Sequence, residues 1–271
     1  MELAEARAQS ADADRHESAL LAVEGVSMRF GGVTALEDVS FDVASGAICG
    51  LIGPNGAGKT TLFNCISRLY DPHAGSIHFD RRPLASFSRH EIAALGIART
   101  FQNVALFSTM STRDNVRVGA HALARGGFLA NALALPLSRR EERRLAERAD
   151  ALIEEFRLAS VADRPVGELP FGVRKRVELA RALAIEPKLL LLDEPAAGLN
   201  HEEVDTLAEE IRAVRDRRGV AILLVEHHMN LVMRVSDQVV ALDFGRVIAD
   251  GSPNEVRANP EVVRAYLGSA A

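Results

Sequence analysis

The stretch "GPNGAGKT", residues 53–60, restricts what this chain can fold into more than any other. It fits the pattern G-x-x-x-x-G-K-[ST], a glycine-rich turn that joins a strand to a helix and points its N–H groups at phosphate oxygens. The flanks suit that reading. "AICGLIG" before it is apolar on both faces, as a central buried strand is. After Gly58 a helix is expected, with Leu62, Phe63, Ile66 and Leu69 on one stripe. The turn Gly53, Pro54, Asn55, Gly56, Ala57, Gly58, Lys59, Thr60 and Thr61 is therefore expected to cradle a nucleotide triphosphate, ATP. Its glycines permit the tight backbone, and the helix N-terminus adds favourable partial charge. Lys59 can reach the β- and γ-phosphates, and the Thr60 hydroxyl can bind Mg²⁺.

A second element completes that chemistry. "LLLLDEP", 189–195, is an apolar strand that ends in an acidic pair. Asp193 is placed to hold Mg²⁺, directly or through water, and Glu194 to polarise the attacking water. An apolar strand with an acidic end is common in isolation, and its weight comes from sharing a sheet with the glycine turn.

The rest of the chain alternates in type. "LLAVEGVSMRF" and "ALEDVSFDV" alternate apolar and polar, as half-buried antiparallel strands do. From about 104 to 186 helical patterns dominate, and "EERRLAERADALIEEF" puts Leu145, Ala149, Leu152, Ile153 and Phe156 on one face. "KLLLLD" and "VAILLVE" read as buried strands, "HEEVDTLAEEIRAVRDRRG" as a helix ending at Gly219, and "DQVVALDFGRVIADG" as a closing hairpin. This alternation argues for an α/β core around a parallel sheet. The domains expected are a polar tail over 1–18, the core with a β subdomain over 19–103 and 187–251, an inserted helical subdomain over 104–186, and a helical tail over 252–271.

Composition excludes some classes. A net charge of −5 gives no general reason to expect nucleic acid as a partner. Cys49 and Cys65 are too sparse for a disulfide framework or a zinc site, and read as buried reduced thiols. No apolar run reaches the roughly 20 residues of a membrane span. The longest, "FLANALALPL" at 128–137, reads as subdomain core, so any membrane role is peripheral.

The order of motifs narrows the reading further. Gln102 lies in "RTFQN", "AAGLN" follows the acidic strand, and His227 ends the next buried strand in "LLVEHHM". This order resembles the ATPase subunit of ATP-binding cassette (ABC) transporters, from about Leu20 to Leu267. "SMRFGGVTALEDVSF", "LDEPAAGLN" and the tail "GRVIADGSPNEVRANPEVVRAYLG" look like the branched-chain amino acid importer type. Importers for urea or amides are similar. The resemblance implies a RecA-like P-loop core with an antiparallel β subdomain and an inserted α-helical subdomain. It also implies that Phe30 stacks on adenine, that Gln102 touches Mg²⁺ or the attacking water, and that His227 contacts the γ-phosphate and pairs with Glu194. Asn200 stands where many relatives have Asp.

The family's Leu-Ser-Gly-Gly-Gln signature, which contacts ATP on the opposite subunit, appears here as "LPFGV" at 169–173. Leu169 and Gly172 are kept, while Pro170, Phe171 and Val173 are not the family residues. Pro170 removes a hydroxyl and an N–H. The N–H groups of Phe171, Gly172 and Val173 remain, so a weakened but usable contact is expected. The basic run Arg174–Lys175–Arg176 reads as a solvated helix face. The resemblance further implies a second ATP-binding subunit (the same chain or a paralogue), two transmembrane permease subunits, a solute-binding protein engaged indirectly, and a place on the cytoplasmic face of the membrane. An ATP-binding regulatory subunit with little hydrolysis is the alternative. A P-loop kinase would not need the signature helix, Gln102 and His227 in this order.

Overall fold

The structure is a computed structural model that describes residues 19–100, 105–120 and 136–268. The polar tail, Gln102 and most of "FLANALALPL" lie outside the described residues. In chain order the strands are β1 (Ala19–Phe30), β2 (Val33–Ala44), β3 (Ile48–Ile52), β4 (Ala74–Phe79), β5 (Arg82–Pro83), β6 (Ile97–Arg99), β7 (Leu189–Asp193), β8 (Ala221–Val225), β9 (Gln238–Asp243) and β10 (Arg246–Gly251). The helices are α1 (Lys59–Ile66), α2 (Ile92–Leu95), α3 (Thr112–Ala120), α4 (Pro136–Glu155), α5 (Phe171–Leu183), α6 (His201–Arg218), α7 (Met229–Val235), α8 (Pro253–Ala258) and α9 (Pro260–Gly268).

The central sheet runs β10-β9-β3-β8-β7-β6. β9, β3, β8, β7 and β6 are parallel, and β10 joins antiparallel through the hairpin read from the sequence. β3, β7 and β8 are buried at every residue, which is why they carry no polar alternation. Their side chains still divide by parity. Leu190, Leu192, Ile222 and Leu224 join one apolar cluster with the α3, α4 and α5 residues Val116, Leu152 and Leu183. Leu189, Leu191, Leu223 and Leu51 face the other way, into a cluster with Leu62, Phe63 and the strands of the second sheet. That second sheet, β2-β1-β4-β5, is antiparallel and half-buried, as its alternation requires.

Local chemistry sets the helix ends. Gly219 closes α6 in the left-handed region, φ 61°, where glycine carries no Cβ penalty. α6 opens on a reciprocal cap: the Asn200 side chain accepts from Glu203 N at 3.0 Å, and the Glu203 carboxylate accepts from Asn200 N at 2.9 Å. Asparagine serves this cap as well as aspartate does, which accounts for Asn200. α1 stops at Ile66, so Leu69 falls beyond the helix and is exposed rather than part of its buried stripe. The basic run also departs from expectation. Lys175 is buried beside Glu178 and against the Phe171 ring, because α5 turns that position toward the core. Both cysteines are free and buried, and burial pushes the Cys65 thiol up to about 11 and Cys49 higher still.

Candidate nucleotide site

The glycine turn leaves β3 at Gly53 and enters α1 at Lys59. Gly53 has φ 151°, and a methyl there would run into the Leu242 carbonyl. Gly58, the N-cap of α1, has φ 102°, and a Cβ would lie 2.5 Å from the Ala35 carbonyl. The turn is thus pressed against β2 and the β9–β10 hairpin, where Gly245 N donates to Ala57 O at 3.0 Å. Gly56, φ 82°, has nothing within 4 Å of a Cβ position, so the crest of the turn stands open. Asn55, Gly56 and Thr60 are exposed, Pro54 and Thr61 half-buried, and Ala57 buried.

Lys59 is buried, and its ammonium donates to Gly53 O at 2.6 Å and Pro54 O at 2.9 Å. Burial lowers its pKa, while the nearby Glu194 and Asp193 carboxylates oppose that shift. Both acids are therefore close enough to act on the same space as the lysine.

Asp193 ends β7, two strands from β3, and is buried. Its Oδ2 accepts from Arg99 Nη2 at 2.9 Å. Arg99 Nη1 also donates to Asn64 Oδ1 at 2.8 Å and Ser67 Oγ at 3.1 Å, and its guanidinium lies over the Phe63 ring. Glu194 follows with φ 48°, a left-handed conformation that costs a non-glycine residue roughly 1–2 kcal/mol. Its N–H donates to Val225 O at 2.9 Å, and its Oε1 lies 2.6 Å from His227 Nε2. β8 ends at Val225, two residues before His227, so the two histidines sit on the turn into α7 rather than on the strand. They still diverge as expected: His228 faces Glu226, with Nδ1 at 3.2 Å from Oε2.

Phe30 and the segment 169–172 remain. Phe30 ends β1, is exposed, and meets Tyr70 edge to face at 5.2 Å between centroids. Leu169 is buried in the cluster below α5, so its side chain packs rather than reaching outward. Pro170 is the N-cap of α5, with φ −54° and ψ 151°. Phe171 is partly exposed, and its ring covers Gly198, where a Cβ would lie 3.0 Å away. Gly172 lies against the Glu203 carboxylate.

Three participants escaped the sequence reading: Arg99, Glu226 and Tyr266. Arg99 stands inside the quoted "RTFQN". Glu226 ends an apolar strand segment just as Asp193 does, and that shared pattern was the available signal. Tyr266 comes from α9, where its hydroxyl accepts from Gly53 N at 2.8 Å.

A parallel sheet with a strand–glycine turn–helix, and an acidic pair at the end of another strand of the same sheet, defines a P-loop nucleotide-binding ATPase. The chain belongs to the ABC transporter ATP-binding family: the family described as "ABC transporter" matches residues 36–197. "Branched-chain amino acid ATP-binding cassette transporter" matches residues 246–271. The chain is 43% identical over 251 residues to the high-affinity branched-chain amino acid transport ATP-binding protein BraF of Pseudomonas aeruginosa, covering 93% of this chain and 98% of that one. It is 41% identical to the corresponding LivG of Escherichia coli, with the same coverage. An ABC transporter cassette solved in its ADP conformation superposes with a TM-score of 0.79 at 29% identity, covering 92% of this chain and 99% of the other. The cassette binds nucleotide. Among the described residues no helix is long and apolar enough to cross a membrane.

Proposed function

We propose that the chain is the ATP-hydrolysing subunit of an importer for branched-chain or related amino acids, acting from the cytoplasmic face of the membrane. The observation that carries hydrolysis is the 2.6 Å pair between Glu194 and His227 beside the glycine turn. The tail match over 246–271 and the BraF and LivG likeness support the substrate class.

In this reading the N–H groups of the turn and the Lys59 ammonium bind the phosphates, and Phe30 carries the base. Lys59 exchanges the Gly53 and Pro54 carbonyls for phosphate oxygens. Thr60 and Asp193, a hydroxyl and a carboxylate, form an oxygen donor set that suits a small hard cation, with Gln102 as a further candidate. Mg²⁺ held there would neutralise charge on the phosphate oxygens. Glu194 orients the attacking water and takes its proton, water oxygen bonds to the γ-phosphorus, and the bond to ADP breaks. His227 holds Glu194 in place and faces the γ-phosphate.

The start of α5, with N–H groups at Phe171, Gly172 and Val173, faces a second ATP-binding subunit in the working dimer. The helices α3, α4 and α5 belong to the part of the chain that engages the permease subunits, and a solute-binding protein supplies the cargo. Replacing Glu194 with Gln tests this. E194Q should bind MgATP, hydrolyse it at least a hundredfold more slowly than wild type, and elute as a stable dimer. A monomer with unchanged turnover points to a regulatory subunit and sinks the reading. Uptake of labelled leucine against urea by the assembled transporter decides the substrate.

A further inference from the structure

Glu226 is a carboxylate buried to 1% exposure, directly after β8, and the chemistry above gives it no part. Its two oxygens serve two different loops. Oε1 accepts from Ala196 N at 2.6 Å, in the segment that follows the catalytic glutamate. Oε2 accepts from His227 N at 3.0 Å and His228 N at 3.3 Å, and faces the His228 ring. A buried carboxylate with main-chain donors on both oxygens is a rigid joint, because backbone N–H groups cannot rotate away as side chains do.

The joint lies where strain needs support. Glu194 occupies the left-handed region at φ 48°, two residues before Ala196. Its register rests on the Val225 carbonyl on one side and on Ala196 on the other. His227 follows Glu226 immediately. We infer that Glu226 is a positioning residue that fixes Glu194 and His227 relative to each other, one oxygen holding each loop. The inference rests on the proposed hydrolytic role of Glu194. The glycine turn and Lys59, proposed to bind the phosphates, lie between β3 and the start of α1, outside this joint, so binding and turnover should separate.

Glutamine at 226 keeps the shape and replaces one acceptor oxygen with a donor, which must then face an N–H. In the full chain, E226Q should bind a fluorescent ATP analogue with Mg²⁺ within twofold of wild type, keep KM within twofold, and lose at least tenfold in kcat. In the E194Q background the same substitution should cost no further turnover, since Glu226 acts through Glu194. A kcat within twofold of wild type, losses that multiply in the double variant, or equal falls in affinity and kcat would overturn the inference. If E226Q does not fold, amide exchange on the wild type decides. Protected Ala196 and His227 N–H groups support the joint, and exchange as fast as in open loops refutes it. Absence of hydrolysis by wild type would instead strike the proposed function, while the amide protection would still report on the joint.

Discussion

At the scale of single residues, the site is governed by where buried charge is compensated. Arg99 and Asp193 are both almost enclosed, at 10% and 8% side-chain exposure, and bond at 2.9 Å. Removing one member of such a pair leaves the other charged and buried, which costs about 3–5 kcal/mol. Arg99→Met keeps much of the aliphatic volume against Phe63 and deletes the cation. Its unfolding free energy, extrapolated from urea melts without nucleotide, should fall by that amount. MgATP should restore more stability to this variant than to wild type, because a cation at Asp193 then replaces the missing guanidinium. Equal MgATP stabilisation of the two proteins would show that the pair and the cation do not share the carboxylate.

At the scale of elements, α9 reaches the nucleotide turn and the start of α5 is proposed to face a partner's nucleotide, and each invites a substitution. Pro170 caps α5 with no side-chain hydrogen bond. Serine is among the preferred caps, worth about 0.5–2 kcal/mol, and restores a hydroxyl and an N–H toward a partner's phosphate. One added bond to a charged acceptor is worth about 1.5–3 kcal/mol, so P170S in the E194Q background should tighten the MgATP dimer about tenfold or more by sedimentation. Unchanged dimer affinity would show that α5 makes no such contact. Tyr266→Phe deletes the bond from Gly53 N, worth about 0.5–1.5 kcal/mol, and should weaken MgATP binding a few-fold by isothermal titration. These two elements also mark what was legible in the sequence. The start of α1, the buried stripe of α4 from Leu145 to Ile153, and β7 and β8 follow from local periodicity. Lys175 departs from the solvated face expected of a basic run because which side of α5 meets the core is not encoded in that run. Tyr266 meets Gly53 across 213 residues, and no local pattern encodes such a pair.

At the scale of the whole molecule, the tail and the nucleotide turn share a core. Val256 of α8 and Val262 of α9 are buried at 1% and 4% exposure, in a cluster with Ile52, Val232, Val239 and Ala241. Ile52 immediately precedes Gly53, so the apolar contact that seats the tail also seats the entry to the turn. Deleting residues 252–271 removes both valines, each worth about 1.5–3 kcal/mol, or about 3–6 kcal/mol as an upper bound. Against a total of about 5–15 kcal/mol, that leaves a marginal protein. The truncated chain should melt roughly 6–20 °C below wild type by calorimetry. It should lose more ATP affinity than Y266F, because Ile52 is uncovered as well as Gly53 unbonded. If the tail is one cooperative unit with the sheet, the melt remains a single transition. A truncated chain with the wild-type midpoint would show that the tail hangs on the core without stabilising it.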